Sequence, residues 1–153
     1  MSETTMRPLA GVRVLALENF VAGPTATMFL ADWGADVVKI EPPTGDTYRS
    51  FPPIKSTESA VSSVWFSRLN RGKRSVVLEL ATGAGRERFL ELASVADVLV
   101  QNLRPGTLAK LGLDYETLSA VNPRLKCVFA PAFSHAGALV SGKSSLVPAG
   151  YVK

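Results

Sequence analysis

Short apolar runs alternate with segments of helical periodicity along most of this chain. Five runs have the length and residue types of buried strands, and they occupy residues 12–17, 37–40, 75–80, 98–100 and 126–130. Strands that alternate with helices are typical of a parallel sheet with helices on both faces. The pattern therefore predicts a Rossmann-like α/β fold, in which ligands bind beyond the carboxyl ends of the strands.

The helices between these runs have recognisable ends and apolar faces. Pro24 and Gly34 mark the start and the end of the first helix. Its predicted buried face comprises Ala26, Phe29, Leu30 and Trp33. Thr82 is predicted to cap the next long helix, and Asp114 a later one. The buried face of the helix after Thr82 comprises Phe89, Leu92, Ala93 and Ala96.

Two segments lack this periodicity. Residues 42–63 are rich in proline, serine and threonine, and they are predicted to form a long loop near the ligand edge of the sheet. Residues 134–153 consist largely of small residues without a helical face. We therefore expect one Rossmann-like region over residues 1–133, followed by a divergent, poorly ordered tail over residues 134–153.

The composition of the chain is that of a globular domain rather than of a membrane protein or a disulfide-rich secreted protein. The chain has 153 residues, of which 46% are hydrophobic and 20% are charged, as is typical of one globular domain. No apolar run approaches the length of a membrane helix, and the first ten residues do not form the apolar core of a secretory signal. Cys127 is the single cysteine, so an internal disulfide and a cysteine-rich metal site are excluded. We expect a cytoplasmic protein without a bound metal and without a membrane partner.

The net charge of +4 is concentrated before the third strand, in Arg68, Arg71, Lys73 and Arg74. Such a cluster favours a phosphate-bearing partner, although a solvated basic loop has the same composition. Aromatic residues do not recur within it, which argues against a nucleic acid as the partner. The neighbouring Trp65 and Phe66 are predicted to pack into the core.

Other candidate chemistry is weak. The turn before the first helix resembles a dinucleotide site with Glu41 as the ribose-binding acid, but only Gly23 of the three required glycines is present. His135, the single histidine, lies in the predicted tail without an oriented partner. Asp32, Asp36 and Glu41 are predicted to form a solvated rim rather than a catalytic carboxylate pair.

Several segments taken in order carry a more specific signal. They are PLAGVRVL at 8–15, AGP at 22–24, LAD at 30–32, GADVVKIEPP at 34–43, NRGKRSV at 70–76, ADVLVQN at 96–102 and RPG at 104–106. This series resembles the amino-terminal part of the class III CoA-transferases, the CaiB/BaiF family. The family includes formyl-CoA and carnitine CoA-transferases, and α-methylacyl-CoA racemases are relatives.

The resemblance implies an activity and an assembly. Members of the family move CoA from an acyl-CoA to a carboxylic acid through an aspartyl intermediate, as interlocked homodimers with a larger Rossmann-like domain than this chain contains. The nucleophilic aspartate of the family is expected beyond Lys153, because the last acidic residue here is Glu116. We therefore expect a truncated chain that is inactive alone, and the interlocked dimer is doubtful for it.

The resemblance also implies a set of CoA-facing residues. They are Val21, Ala22, Pro42, Leu78, Leu80, Asn102, Leu103, Arg104 and Lys110. Two departures weaken the expected phosphate contacts, since Pro42 replaces an arginine found in some members and Ala81 replaces a common lysine. Three hypotheses remain open: a CoA-transferase or its racemase relative, a nucleotide- or CoA-binding module without catalysis, and an NAD-dependent oxidoreductase.

Overall fold

The computed structural model describes residues 7–56 and 61–130. Seven strands and five helices lie in these ranges, together with a 3₁₀ turn at Thr47–Ser50. The strands are β1 Arg13–Leu17, β2 Asp36–Glu41, β3 Ile54–Ser56, β4 Val61–Ser63, β5 Arg74–Val77, β6 Val98–Gln101 and β7 Lys126–Phe129. The helices are α1 Ala22–Asp32, α2 Val64–Leu69, α3 Gly83–Val95, α4 Thr107–Lys110 and α5 Tyr115–Val121.

Five of the strands form one parallel sheet in the order β5-β2-β1-β6-β7. The chain first moves outward from β1 through β2 to β5 and then returns to β6 on the other side of β1. This reversal is the topological switch point of a Rossmann-like sheet, and it places a crevice beside the carboxyl ends of β1 and β6. The predicted α/β class is confirmed.

Alternate residues of β1 enter two separate cores, because successive side chains of a strand point to opposite faces. Leu15 and Leu17 join the larger core, which contains Phe89 of α3 and Leu118 of α5. Val14 and Ala16 belong to the smaller core, on the α1 side of the sheet. Helices therefore cover both faces, as the alternation of strands and helices predicts.

Two of the predicted caps are confirmed. The side chain of Thr82 accepts a hydrogen bond from Gly85 N at the start of α3, and that of Asp114 accepts one from Thr117 N at the start of α5. The apolar face predicted for α3 is also present, since Phe89 and Ala93 are fully buried. Both helices begin where a side-chain oxygen satisfies an otherwise unpaired backbone N–H.

The face predicted for α1 is wrong. Phe29 and Trp33 are about half exposed (47% and 52%), and the rings contact each other at the surface. The buried residues of α1 are Gly23, Pro24, Thr27 and Met28. Small residues let the first turns of α1 lie close to the sheet, and the buried hydroxyl of Thr27 is satisfied by a hydrogen bond that hydropathy does not register.

The region between β2 and β5 contains more structure than predicted. The 3₁₀ turn is followed by an antiparallel pair, β3 and β4, and then by α2. Trp65 on α2 is exposed, so its predicted place in the core is wrong, while Phe66 lies partly buried beneath the guanidinium of Arg49 at 3.9 Å. In β5 the ladder ends at Val77 rather than Leu80, and residues 78–81 turn toward the crevice.

Some expectations fall outside the described ranges. The predicted tail, 134–153, and His135 within it lie there. In the ranges that the structure describes, no helix is both long enough and apolar enough to span a bilayer.

Candidate functional site

The turn after β1 is fastened to the end of β6 across the topological switch point. Asn19 N donates to Asn102 Oδ1 at 2.9 Å, and Asn102 Nδ2 donates to Asn19 O at 2.6 Å. Asn102 is buried and Asn19 is partly buried, so these two bonds are only partly exposed to water. The amide of Asn102 therefore sets the distance between the two loops that border the crevice.

A buried group of charged residues lies beneath this turn. Lys39, in the middle of β2, is 1% exposed, and its Nζ donates to Glu18 O at 2.9 Å. The same ammonium lies 2.8 Å from Asp46 Oδ2 and 3.8 Å from Glu18 Oε1. Lys39 thus ties β2 both to the end of β1 and to the loop that follows β2.

Lys73 extends the buried group from the other side. Its Nζ lies 2.8 Å from Glu18 Oε1, and the side chain is 1% exposed. Burial lowers the pKa of Lys73 to about 8, against the opposing effect of the Glu18 charge and hydrogen bond. Two lysines and two carboxylates, Glu18 and Asp46, therefore balance one another with side chains that are almost fully buried.

Glu41 closes β2 with a third buried carboxylate. Arg49 donates to both of its oxygens, from Nε at 2.6 Å and from Nη2 at 2.7 Å, while Ser75 Oγ and Asp46 N donate to it as well. Burial alone would raise the pKa of Glu41, but these hydrogen bonds and the Arg49 charge lower it to about 2. The carboxylate is a structural anchor for residues 46–49.

The low pKa of Glu41 predicts a loss of stability in acid. A carboxylate with a folded-state pKa of about 2, against 4.5 for the free group, contributes its stabilisation above pH 4.5 and loses it as the pH falls toward 2. The full contribution is about 3 kcal/mol. Glu41→Gln should therefore lower the free energy of unfolding by about that amount at pH 7, and by much less at pH 2.5, as measured by urea denaturation.

The control for this prediction is Glu87→Gln on the exposed side of α3, which should change the free energy of unfolding at pH 7 by less than about 0.5 kcal/mol. An equal loss for Glu41→Gln at both pH values would show that shape, and not the charge of the carboxylate, matters at this position.

A pocket of about 270 Å³ opens at this edge of the sheet. Its walls come from the ends of β1 and β2, from residues 45–47, from residues 78–81 after β5, and from Leu103 and Leu111. The lining includes four acidic residues, Glu18, Glu41, Asp46 and Glu79, beside the apolar side chains, so the buried charges lie against the pocket. The position beyond the carboxyl ends of parallel strands is the one the fold class predicts.

Four of the nine residues expected to face CoA line this pocket: Pro42, Leu78, Leu80 and Leu103. Val21 and Ala22 are exposed at the start of α1, and Asn102 supports the β1 turn from beneath. Arg104 and Lys110 are exposed after β6. The structure thus places all nine at or near the carboxyl edge, and their contact with CoA stays a prediction.

The basic cluster before β5 is largely neutralised by acidic partners. Arg71 pairs with Asp32, and Arg74 pairs with Asp36 at 2.6 Å, each through two nitrogens of the guanidinium. Lys73 points into the buried group beneath the β1 turn. Arg71 and Arg74 thus lie beside surface carboxylates that reduce the local positive charge, while Arg68 is exposed, and phosphate binding by this cluster stays a prediction.

The predicted acidic rim is half right. Asp32 and Asp36 are exposed as expected, but Glu41 is 2% exposed and fully hydrogen-bonded. Sequence reasoning missed Glu18, Lys39 and Asp46 as members of the site. A signal was present in β2, where Lys39 interrupts an apolar strand that a parallel sheet buries on both faces.

The structure also locates Cys127 and tests for groups of metal-ligating side chains. Cys127 on β7 is partly buried against the larger core, and burial raises the pKa of its thiol, as expected for a small hydrophobic residue. Among the described residues, no three His, Cys, Asp or Glu side chains come together as metal ligands would.

Comparison with known proteins agrees with this geometry. Residues 9–145 match the CoA-transferase family III, so the match includes the first part of the segment predicted to be divergent. Succinyl-CoA:mesaconate CoA-transferase of Haloarcula hispanica is 49% identical over 121 residues, covering 78% of this chain and 31% of the relative. Acetyl-CoA:oxalate CoA-transferase of Acetobacter aceti is 41% identical over 144 residues, covering 91% of this chain and 36% of the relative.

A solved structure shows the same fold. The crystal structure of a CaiB/BaiF family protein from Brucella suis superposes with a TM-score of 0.76 at 42% identity, covering 80% of this chain and 32% of that one. The chain spans about a third of the length of the curated relatives named above. The sequence match over residues 9–145 and the shared fold together show that the chain belongs to the CoA-transferase family III.

Proposed function

We propose that this chain forms the CoA-binding part of an enzyme that moves CoA from an acyl-CoA to a carboxylic acid. The observation that carries the proposal is the pocket at the carboxyl edge of the sheet, which is lined by four of the residues that the family resemblance assigns to CoA. The curated relatives named above are transferases, which favours CoA transfer over racemase chemistry.

The arrangement suits a ligand with an apolar body and anionic ends. Leu78, Leu80 and Leu103 offer apolar surface to the uncharged part of CoA, while Arg104 and Lys110 are exposed cations available to its phosphates. The turn at Val21 and Ala22 would border the ligand where β1 meets α1. Because Pro42 carries no charge, the phosphates depend on the cations after β6.

The proposed chemistry is covalent catalysis by an aspartate. The carboxylate attacks the thioester carbonyl and expels CoA as a thiolate, which leaves a mixed anhydride. The thiolate then attacks the aspartyl carbonyl, forms an aspartyl thioester and releases the donor acid. The acceptor carboxylate attacks that thioester and expels the CoA thiolate, which leaves a second mixed anhydride. The thiolate then attacks the carbonyl of the acceptor and yields the new acyl-CoA and the free aspartate. We assign the nucleophile to no residue of this chain.

Calorimetry of the full 153-residue chain with CoA and with NAD tests the binding proposal. We expect binding of CoA and no heat with NAD. Lys110→Met should weaken CoA binding by at least about tenfold, since one charge-assisted contact to a phosphate contributes about 1.5–3 kcal/mol. Lys126→Met, at the amino end of β7, is the matched control and should leave CoA binding unchanged. Binding of NAD without CoA would refute the proposal and favour an oxidoreductase.

A transferase assay separates CoA binding from catalysis. We propose that the 153-residue chain binds CoA but does not transfer it between succinyl-CoA and a dicarboxylic acid. Turnover by the purified chain alone would show that a residue of this chain serves as the nucleophile and would overturn this part of the proposal.

A further inference from the structure

Lys73 belongs to the basic motif before β5, yet its ammonium has no donor left for a ligand. Its three acceptors are Glu18 Oε1 at 2.8 Å, Pro24 O at 2.9 Å and Asn70 Oδ1 at 3.0 Å. An ammonium group has three N–H donors, so these contacts use all of them. With the side chain 1% exposed, Lys73 cannot reach a phosphate in the crevice without leaving this site.

Glu18 connects the same lysine to the first helix. Its Oε1 also accepts from Thr27 Oγ1 at 2.7 Å, and the backbone carbonyl of Glu18 accepts from Lys39. Among the described residues, Glu18 Oε2 has no hydrogen-bond partner, so the carboxylate depends on the contacts of Oε1. Glu18 is therefore held by β2, by α1 and by the segment before β5 at the same time.

These contacts lie on both sides of the turn between β1 and α1, whose backbone conformation is strained. Phe20 has a φ of 61°, in the left-handed region that costs a residue with a side chain about 1–2 kcal/mol. Glu18 and Asn19 fix the chain before Phe20, and the bond from Lys73 to Pro24 O fixes it after. Val21 and Ala22, which the proposed function places beside CoA, lie between these two attachments.

We propose that Lys73 and Glu18 are positioning residues for CoA, whose buried side chains hold the turn between β1 and α1 in its binding conformation without binding the CoA phosphates. This inference rests on the proposed function and assigns the motif lysine a role different from phosphate binding. Holding the turn in advance would raise affinity because CoA then does not have to order it.

The test uses a charge-balanced pair of substitutions. Lys73→Met alone removes the cation nearest to the Glu18 carboxylate, leaving only Lys39 at 3.8 Å, and is expected to lower the melting temperature, so it is combined with Glu18→Gln. The double variant keeps the Lys39–Asp46 pair, and it should regain most of the lost thermal stability. Arg71→Met, in the same motif and paired only at the surface with Asp32, is the matched control.

Two measurements separate positioning from stability and from direct contact. The double variant should bind CoA about tenfold more weakly by calorimetry, and dephospho-CoA more weakly by the same factor, since the turn and not the 3′-phosphate is affected. Hydrogen exchange at the amides of Asn19 and Thr25 should become about tenfold faster. Arg71→Met should match the wild type in its affinity for CoA, in its affinity for dephospho-CoA and in hydrogen exchange.

Unchanged CoA affinity in the double variant would overturn the inference. A lower affinity for CoA with an unchanged affinity for dephospho-CoA would also overturn the inference, because it would make Lys73 a ligand of the 3′-phosphate. Failure of the wild type to bind any CoA would instead refute the proposed function and, with it, the role in CoA binding. Unchanged hydrogen exchange together with normal CoA binding by the wild type would remove the positioning role alone.

Discussion

Lys39→Met should lower the free energy of unfolding by about 3–5 kcal/mol, because it removes one partner from a buried group of charges. The methionine fills a similar volume, so the main loss is electrostatic. Asp46 would lose an ammonium at 2.8 Å, and Glu18 O would lose a hydrogen bond at 2.9 Å. Urea denaturation monitored by circular dichroism at pH 7 measures the effect.

The matched control is Lys126→Met, an exposed lysine on the edge strand β7. Its replacement should change the free energy of unfolding by less than about 0.5 kcal/mol. Combining Lys39→Met with Asp46→Asn removes the orphaned charge and should recover part of the loss. Equal small effects of Lys39→Met and Lys126→Met would mean that the buried ion pair makes no net contribution to folding.

Gly85→Ala should destabilise the chain by about 3 kcal/mol, although alanine is normally the better residue in a helix. A Cβ at this position would collide with the carbonyl of Glu79, which the N–H and hydroxyl of Thr82 already hold at 3.0 and 2.8 Å. The clash is with a backbone carbonyl, which cannot move aside as the end of a flexible side chain can. The turn at residues 79–82 would have to move, and part of it forms the pocket wall.

Gly83→Ala is the matched control for this prediction. It lies in the same first turn of α3, and a Cβ there meets nothing within 4 Å. We expect it to be neutral or to stabilise the chain by up to about 1 kcal/mol. Thermal denaturation of both variants, followed by calorimetry with CoA, would test whether only Gly85→Ala disturbs the pocket. Similar melting temperatures would contradict the close approach of α3 to Glu79.

The hydrophobic pattern predicted the strands of the parallel sheet but was less reliable for the outer elements. The run at residues 12–17 contains β1 because β1 is buried on both faces and reads as continuous apolar sequence. The small antiparallel pair of β3 and β4 was missed. Each of these two strands has only three residues, some of them polar. A strand of three residues is too short to show a detectable alternation of apolar and polar positions.

The buried face of α1 was the main error in the packing predicted from the sequence. Phe29 and Trp33 have the spacing of a buried face, but α1 packs through Gly23 and Thr27 instead. Periodicity identifies which residues share a face, and it cannot show which face meets the sheet when small residues permit a closer approach. The polar contact from Thr27 to Glu18 adds to the preference, and only the folded structure shows it.

The sequence also located the basic residues before β5 without showing which groups they contact in the folded chain. From the sequence, Arg71, Lys73 and Arg74 form one basic cluster. In the structure, two of them pair with Asp32 and Asp36 at the surface, and the third enters a buried site beneath the β1 turn. Their acidic partners are more than 35 residues away along the chain, so no local pattern could have assigned them.

The sequence by itself determined the class of fold, the order of the main strands and the family, because these follow from local periodicity and from motifs that can be read in order. Only the tertiary structure decided what the polar residues of those motifs do. Lys39, Lys73 and Glu18 converge from different strands and loops, and their charges are satisfied by one another within a buried site. Whether a charged group binds a ligand or supports the fold depends on which groups surround it, and that is set by chain packing rather than by sequence neighbours.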